Sequence, residues 1–232
     1  MSVRNEVTKM KETAPLLASS KGEIRNEALR RIIETLKSRK EEIFEANRKD
    51  REAARRDHIA PAVMKRLLFD EEKLESLVSG LEQLIRLPDP VGHITLAREL
   101  DTHLKLYRVT CPIGVIGIIF EARPDALVQI SALCIKSANC AILKGGKETK
   151  ETNRILFSLI HEAAVSAGLP EKAWLQAEQH SEIDELLQCD ELVDLLIPRG
   201  SNEFVRYIMD HTKIPVMGLS LRHISEPTRR YA

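Results

Sequence analysis

Apolar and polar positions change their period midway along the chain. Up to about residue 87 the apolar residues recur at helical spacing. The segment GEIRNEALRRIIETLKSRKEEIFEANRKD sets Ile24, Ala28, Ile32, Leu36, Ile43 and Phe44 near one face, with charge on the other. That is the stripe of an amphipathic helix packed on a core. Helices follow around AVMKRLL and through EEKLESLVSGLEQLIRL, until LPDPVGH stops the pattern with two prolines and a glycine. HITLAREL and HLKLYRVT then read as extended segments turning about Asp101-Thr102, a β-hairpin.

From Gly114 short apolar runs alternate with helical stretches. GVIGIIF, CAILKG, AWLQAE, LVDLLIP and IPVMG read as five strands. Between them the pattern predicts a helix from Pro124 to about Ser137. A second runs through ETKETNRILFSLIHEAAVSAG, with Ile155, Leu156, Leu159, Ile160 and Ala163 on one face. A short one follows from Ser181 to about Leu187, and a last one opens at Gly200-Ser201-Asn202 and runs to about His211. This order implies an α/β fold: a Rossmann-like, mainly parallel sheet with helices on both faces, preceded by N-terminal helices and the hairpin.

The chain has 232 residues, 43% apolar and 30% charged, which is ordinary for a globular protein with a sizeable core. Lys+Arg and Asp+Glu balance at 35 each. A neutral chain without a basic stripe argues against nucleic acid as partner. No apolar run approaches the roughly 20 residues that span a bilayer, and MSVRNEVTKMKETAPLL has no signal-peptide character. No membrane partner is expected. Cys111, Cys134, Cys140 and Cys189 lack a CxxC spacing, and the histidines form no HxxxH. A reducing cytoplasm is the expected setting, with no disulfide framework and no metal site.

Chemistry concentrates at strand ends. Lys144-Gly145-Gly146-Lys147 joins a strand to a helix. It is neither a P-loop, since Glu148 stands where Ser or Thr would hold magnesium, nor a G-x-G-x-x-G. Two readings stand: a tight turn with solvated lysines, or an anion site at a helix N-terminus. Glu121-Ala122-Arg123-Pro124-Asp125 ends another strand, where Arg123 reads either as part of a solvated turn or as a two-pronged grip on a carboxylate or phosphate. Arg199 precedes Gly200-Ser201 and reads equally as a surface arginine. Asn202 reads as a cap of the following helix.

PIGVIGIIFEARPDA, SANCAILKGGKE and LLIPRGSNEFVR, in that order and spacing, resemble the gamma-glutamyl phosphate reductases, also called glutamate-5-semialdehyde dehydrogenases. These are a branch of the aldehyde dehydrogenase superfamily. The resemblance covers about residues 1 to 218. It implies NADPH-dependent reduction of L-glutamyl 5-phosphate to glutamate 5-semialdehyde and phosphate, the second step of proline biosynthesis from glutamate. It implies that Lys144, with Gly145 and Gly146, meets the adenosine ribose side of NADPH, and that Gly200 and Ser201 meet the pyrophosphate. Glu121, Arg123 and Arg199 are implied substrate or phosphate contacts. The family's thiolate nucleophile lies in a catalytic domain that follows a G-H-A-D-G-type stretch. Here Gly218 is followed by LSLRHISEPTRRYA, which matches nothing in the family. The expectation is therefore a chain with no catalytic residue among its four cysteines, its catalytic domain missing. Residues 1–110 would form helices and a hairpin packing on the cofactor domain, 111–218 the NADP-binding domain, and 219–232 a divergent tail. Partners implied are the acyl phosphate substrate, glutamate 5-kinase, and further copies of the chain if full length. A non-catalytic dinucleotide-binding fragment is the alternative.

Overall fold

A computed structural model describes residues 3–179 and 181–218. The tail expected at 219–232 lies outside the described residues. Five helices come first: α1 (Val3–Ala18), α2 (Gly22–Ser38), α3 (Lys40–Arg56), α4 (Pro61–Leu67) and α5 (Glu71–Arg86). The long amphipathic segment thus divides at Arg39, whose φ of −112° and ψ of 25° interrupt the helix. Both halves keep the expected face: Ala28, Ile32, Leu36 and Ile43 are buried, and Ile24 and Phe44 pack at the margin of the same core.

The hairpin is β1 (Ile94–Asp101) with β2 (Leu104–Val109), paired antiparallel. Every residue of both strands is exposed. The expected packing of residues 1–110 on the cofactor domain is seen for the helices, while the strands of the hairpin are exposed. Its apolar side chains, among them Ile94, Leu100, Leu104 and Val109, face solvent rather than the sheet.

The parallel sheet follows the predicted alternation. Its elements are β3 (Val115–Ile119), α6 (Pro124–Lys136), β4 (Cys140–Lys144), α7 (Lys150–Ser166), β5 (Trp174–Ala177), α8 (Ser181–Leu187), β6 (Leu195–Pro198) and α9 (Asn202–His211). The strand order is β5-β4-β3-β6. All five residues of β3 and of β4 are buried, as continuous apolar strands between two helical layers must be. The expected fifth strand, IPVMG, shrinks to one parallel bridge, Leu196 with Val216. Leu196 N–H donates to Pro215 O at 2.8 Å and Met217 N–H to Leu196 O at 2.8 Å. Pro215 carries no N–H, so the ladder cannot extend through it.

α1 packs against β3, β4 and α8, while α6 and α7 pack with α2, α3 and α5. One apolar core runs from Val7 and Leu29 through Ile119 and Leu143 to Leu159. Arg25, 2% exposed, ties the layers together, donating to Lys136 O at 2.6 Å and to the Asp89 carboxylate at 2.8 Å.

Candidate functional site

Pairing register sets Ile119, Lys144, Ala177 and Pro198 side by side at the carboxyl ends of the strands. The chain runs outward from β3 through β4 to β5, then returns to β6 on the other side of β3. Strand order therefore reverses between β3 and β6, and in parallel sheets ligands bind outside the carboxyl ends at that reversal. The loops after β3 and β6 flank the crevice, and the loop after β4 lies beside the first.

These loops lie close together, the loop after β4 against the backbone of the loop after β3 and the loop after β6 against the Glu121 side chain. A Cβ added to Gly146 would lie 3.3 Å from Ala122 N and 3.6 Å from the Glu121 carbonyl carbon. One added to Gly200 would lie 3.1 Å from Glu121 Oε1, and one added to Gly145 would run into the Asn153 amide. The packing thus leaves little room for a side chain at these glycines. Glu121, Gly146 and Gly200 come together here, with Lys144 and Gly145 behind them.

Lys144 is 5% exposed, and its ammonium donates only to Gly145 O, at 2.8 Å, among the described residues. Burial pulls its pKa below the ordinary lysine value, with Glu182, Glu148 and Glu178 pulling the other way. A desolvated ammonium with donors to spare can donate further hydrogen bonds to oxygen atoms. That donor set fits the hydroxyls and phosphates of a dinucleotide.

The two helix N-termini at this edge differ. That of α7 is already filled. Asp50, from α3, is buried and accepts from Glu151 N at 3.0 Å, Thr152 N at 2.8 Å and Thr152 Oγ at 2.6 Å. Asn47 supports it, donating to Thr152 Oγ at 3.3 Å and to Leu67 O at 2.8 Å. An anion has no place there. The N-terminus of α9 is open. Its cap is Ser201 rather than the expected Asn202, with Oγ accepting from Phe204 N at 3.2 Å. Ser201 has ψ of 156°, outside the helix, whereas Asn202 already lies within it. The N–H groups of Asn202 and Glu203 have no acceptor among the described residues and remain available to an anion.

The two arginines go elsewhere. Arg123 is half exposed and donates to Asp125 Oδ2 at 2.6 Å, which holds its pKa above the ordinary arginine value. Arg199 N–H binds Ile119 O at 2.7 Å. Its residue, with Pro198, also lines a largely apolar cavity of about 800 Å³ that extends to Ile113, Ile118, Leu133 and Met217. Of the cysteines only Cys111 is exposed. Burial pushes the Cys134 and Cys140 thiols up to about 12, which leaves them almost wholly protonated and weak as nucleophiles. Among the described residues no group of acidic, histidine and cysteine side chains could hold a metal ion, and no helix is long and apolar enough to cross a membrane.

Sequence reading missed Asp50, Asn47 and Asn153. Asp50 lies 101 residues from the amide it caps, so no local spacing announces it.

A twisted parallel sheet in this order, covered on both faces and preceded by a helical layer and a projecting hairpin, defines the aldehyde dehydrogenase fold. A NAD-dependent benzaldehyde dehydrogenase from Corynebacterium glutamicum matches 93% of this chain and 45% of its own, with a TM-score of 0.70 and 18% identity. At that identity the likeness concerns the fold alone. The narrower relationship is with one enzyme. The structure of gamma-glutamyl phosphate reductase from Saccharomyces cerevisiae matches 94% of this chain and 55% of its own, with a TM-score of 0.89 and 39% identity. The gamma-glutamyl phosphate reductase of Ruminiclostridium cellulolyticum is 53% identical over 203 residues, covering 87% of this chain and 47% of the relative. The chain is a homologue of the gamma-glutamyl phosphate reductases. It spans about half the length of the curated relatives it matches. No protein-family model matches it.

Proposed function

We propose that this chain is the dinucleotide-binding part of an NADPH-dependent reductase of L-glutamyl 5-phosphate, the step that yields glutamate 5-semialdehyde and phosphate on the way to proline. The observation that carries the reading is one of position. A helix N-terminus with free N–H groups lies at the sheet's switch point and a buried lysine with spare donors ends the next strand, while the neighbouring helix N-terminus is closed by Asp50. The cofactor supplies the hydride. The chain's own residues bind and orient it: Lys144 holds ribose hydroxyls, and the backbone at Gly200, Ser201 and Asn202 receives the pyrophosphate. Gly145 and Gly146 let the turn lie flat against the loop after β3. Glu121 borders the crevice from the β3 side, and Arg123 faces the substrate. Arg199 follows β6 at the crevice and also lines the apolar cavity, and it stays an expected substrate or phosphate contact.

The buried thiols of Cys134 and Cys140 are assigned no step. Binding, not turnover, is the work given to these residues. The reading carries with it a reducing, cytoplasmic setting, a kinase supplying the labile acyl phosphate, and association with further copies of the chain.

Calorimetric titration of the 232-residue chain with NADPH and with NADH tests the proposal. Saturable binding of NADPH, weakened about tenfold by Lys144→Ala for loss of one charge-assisted hydrogen bond, is expected. Absence of saturable binding by either nucleotide would sink it.

A further inference from the structure

Lys73, near the start of α5, lies in the primary sequence far from every motif at the sheet edge, yet it completes a charged cluster there. Asp125 is 3% exposed. Its Oδ2 accepts from Arg123 Nη2 at 2.6 Å, and its Oδ1, which has no hydrogen-bond partner, lies 3.6 Å from Lys73 Nζ. Both cations reach solvent: the side chain of Arg123 is 51% exposed and that of Lys73 33%. Gly146 packs on the backbone of Glu121 and Ala122, so the cluster adjoins the cofactor turn at one residue's remove.

A simpler purpose for Asp125 would be to cap α6, in whose first turn it sits. The geometry argues otherwise. Asp125 accepts no backbone N–H among the described residues, and α6 has no side-chain cap. The carboxylate is spent on the arginine. It leaves Nε and Nη1 of Arg123 without an acceptor among the described residues, on a side chain that is half exposed.

We propose that Arg123 and Lys73 form a two-cation clamp for the carboxylate of the substrate, with Asp125 as the positioning residue that orients the guanidinium. This rests on the reading given under Proposed function and specifies which end of the substrate the chain grips. Charge favours a carboxylate over a phosphate. Two cations against one buried carboxylate leave a single positive charge, which matches a monoanion. A dianionic phosphate would bring excess negative charge beside the buried Asp125. The N–H groups of Arg123 left free by Asp125 can donate to a carboxylate oxygen, and Lys73 adds a point charge from α5.

The test uses the whole 232-residue chain with L-glutamate as the carboxylate probe and NADPH as the phosphate probe, each titrated separately. Lys73→Met and Arg123→Lys should each weaken L-glutamate at least fivefold and leave the NADPH Kd within twofold, both variants still unfolding cooperatively above the titration temperature even though each loosens the hold on buried Asp125. Asp125→Asn raises the positive charge but removes the anchor. A clamp predicts weaker L-glutamate binding in that variant, and general attraction of anions predicts stronger. Stronger binding there overturns the positioning role. Loss of NADPH affinity with L-glutamate unaffected assigns the cluster to the cofactor phosphate and overturns the proposal. So does a wild-type chain that fails to bind L-glutamate. Should NADPH fail to bind while the variants still lose L-glutamate, the dinucleotide reading falls and the clamp stands.

Discussion

Replacing Asp50 is the sharpest probe of how the site is held. Its carboxylate accepts three hydrogen bonds from the start of α7, two of them from backbone N–H groups. Asp50→Ala strands both amides. Each buried unsatisfied donor costs about 1–3 kcal/mol. Removal of a desolvated carboxylate offsets part of this, since burial outweighs the hydrogen bonds and holds the Asp50 carboxyl above its ordinary pKa of 3.8. A net loss of about 3 kcal/mol is expected, or a Tm lower by roughly 6–12 °C for a chain of this size. Asp50→Asn keeps an acceptor for Thr152 but points an amide N–H at Glu151 N–H, and should lose about half as much, ~1.5 kcal/mol. The pH dependence has a definite sign. Asp50 has a folded-state pKa above its unfolded one, so its ionisation disfavours folding. Stability relative to Asp50→Asn is greatest below pH 3.8 and falls as pH rises through the folded-state pKa. Urea unfolding gives the free energies, and hydrogen exchange at Glu151 and Thr152 locates the effect. A loss under about 1 kcal/mol in Asp50→Ala, with both amides still protected, would refute the capping argument.

Other perturbations separate structure from function. Lys144→Met removes a charge the fold resists, so it should raise Tm at neutral pH while weakening NADPH. Because burial lowers the folded-state pKa of Lys144 below the ordinary 10.5, the stability advantage should shrink as pH rises through that folded-state pKa toward 10.5; a Tm drop would contradict this. Ser201→Ala should cost about 1 kcal/mol as a lost helix cap, and Ser201→Asp should restore the stability yet repel the pyrophosphate; equal NADPH affinity in the two variants would show the open α9 terminus plays no part. Of the four cysteines, Cys111 alone should react quickly with a thiol reagent in the native chain, and fast modification of Cys134 or Cys140 would contradict their burial.

Much of this architecture is legible from local pattern. The helical stripe from Ile24 to Leu36, the apolar runs of β3 and β4, and the turn at Lys144-Gly145-Gly146 each declare themselves within a few residues. Two local misreadings have local causes. Asn202 is as good a cap as Ser201 by type, and only backbone geometry separates them. IPVMG has a strand's composition, but Pro215 breaks its ladder. What stayed hidden is non-local. Asp50 reaches Glu151, Lys73 reaches Asp125 and Arg25 reaches Lys136 across the packing of helices on the sheet, and no spacing along the chain encodes those meetings. The hairpin shows the converse. Its alternation was plain, but whether its faces are covered depends on neighbours that pattern does not name.

The central claim is that the dinucleotide lies across the ends of β3, β4 and β6. Backbone amide shift mapping by NMR during NADPH titration tests it most directly. The account predicts perturbation concentrated at Gly145, Gly146, Gly200, Ser201 and Asn202, with Glu151, Thr152 and the hairpin strands at 94–109 silent. Shifts centred instead on the apolar cavity around Ile113, Leu133 and Met217, or at the start of α7, would contradict it.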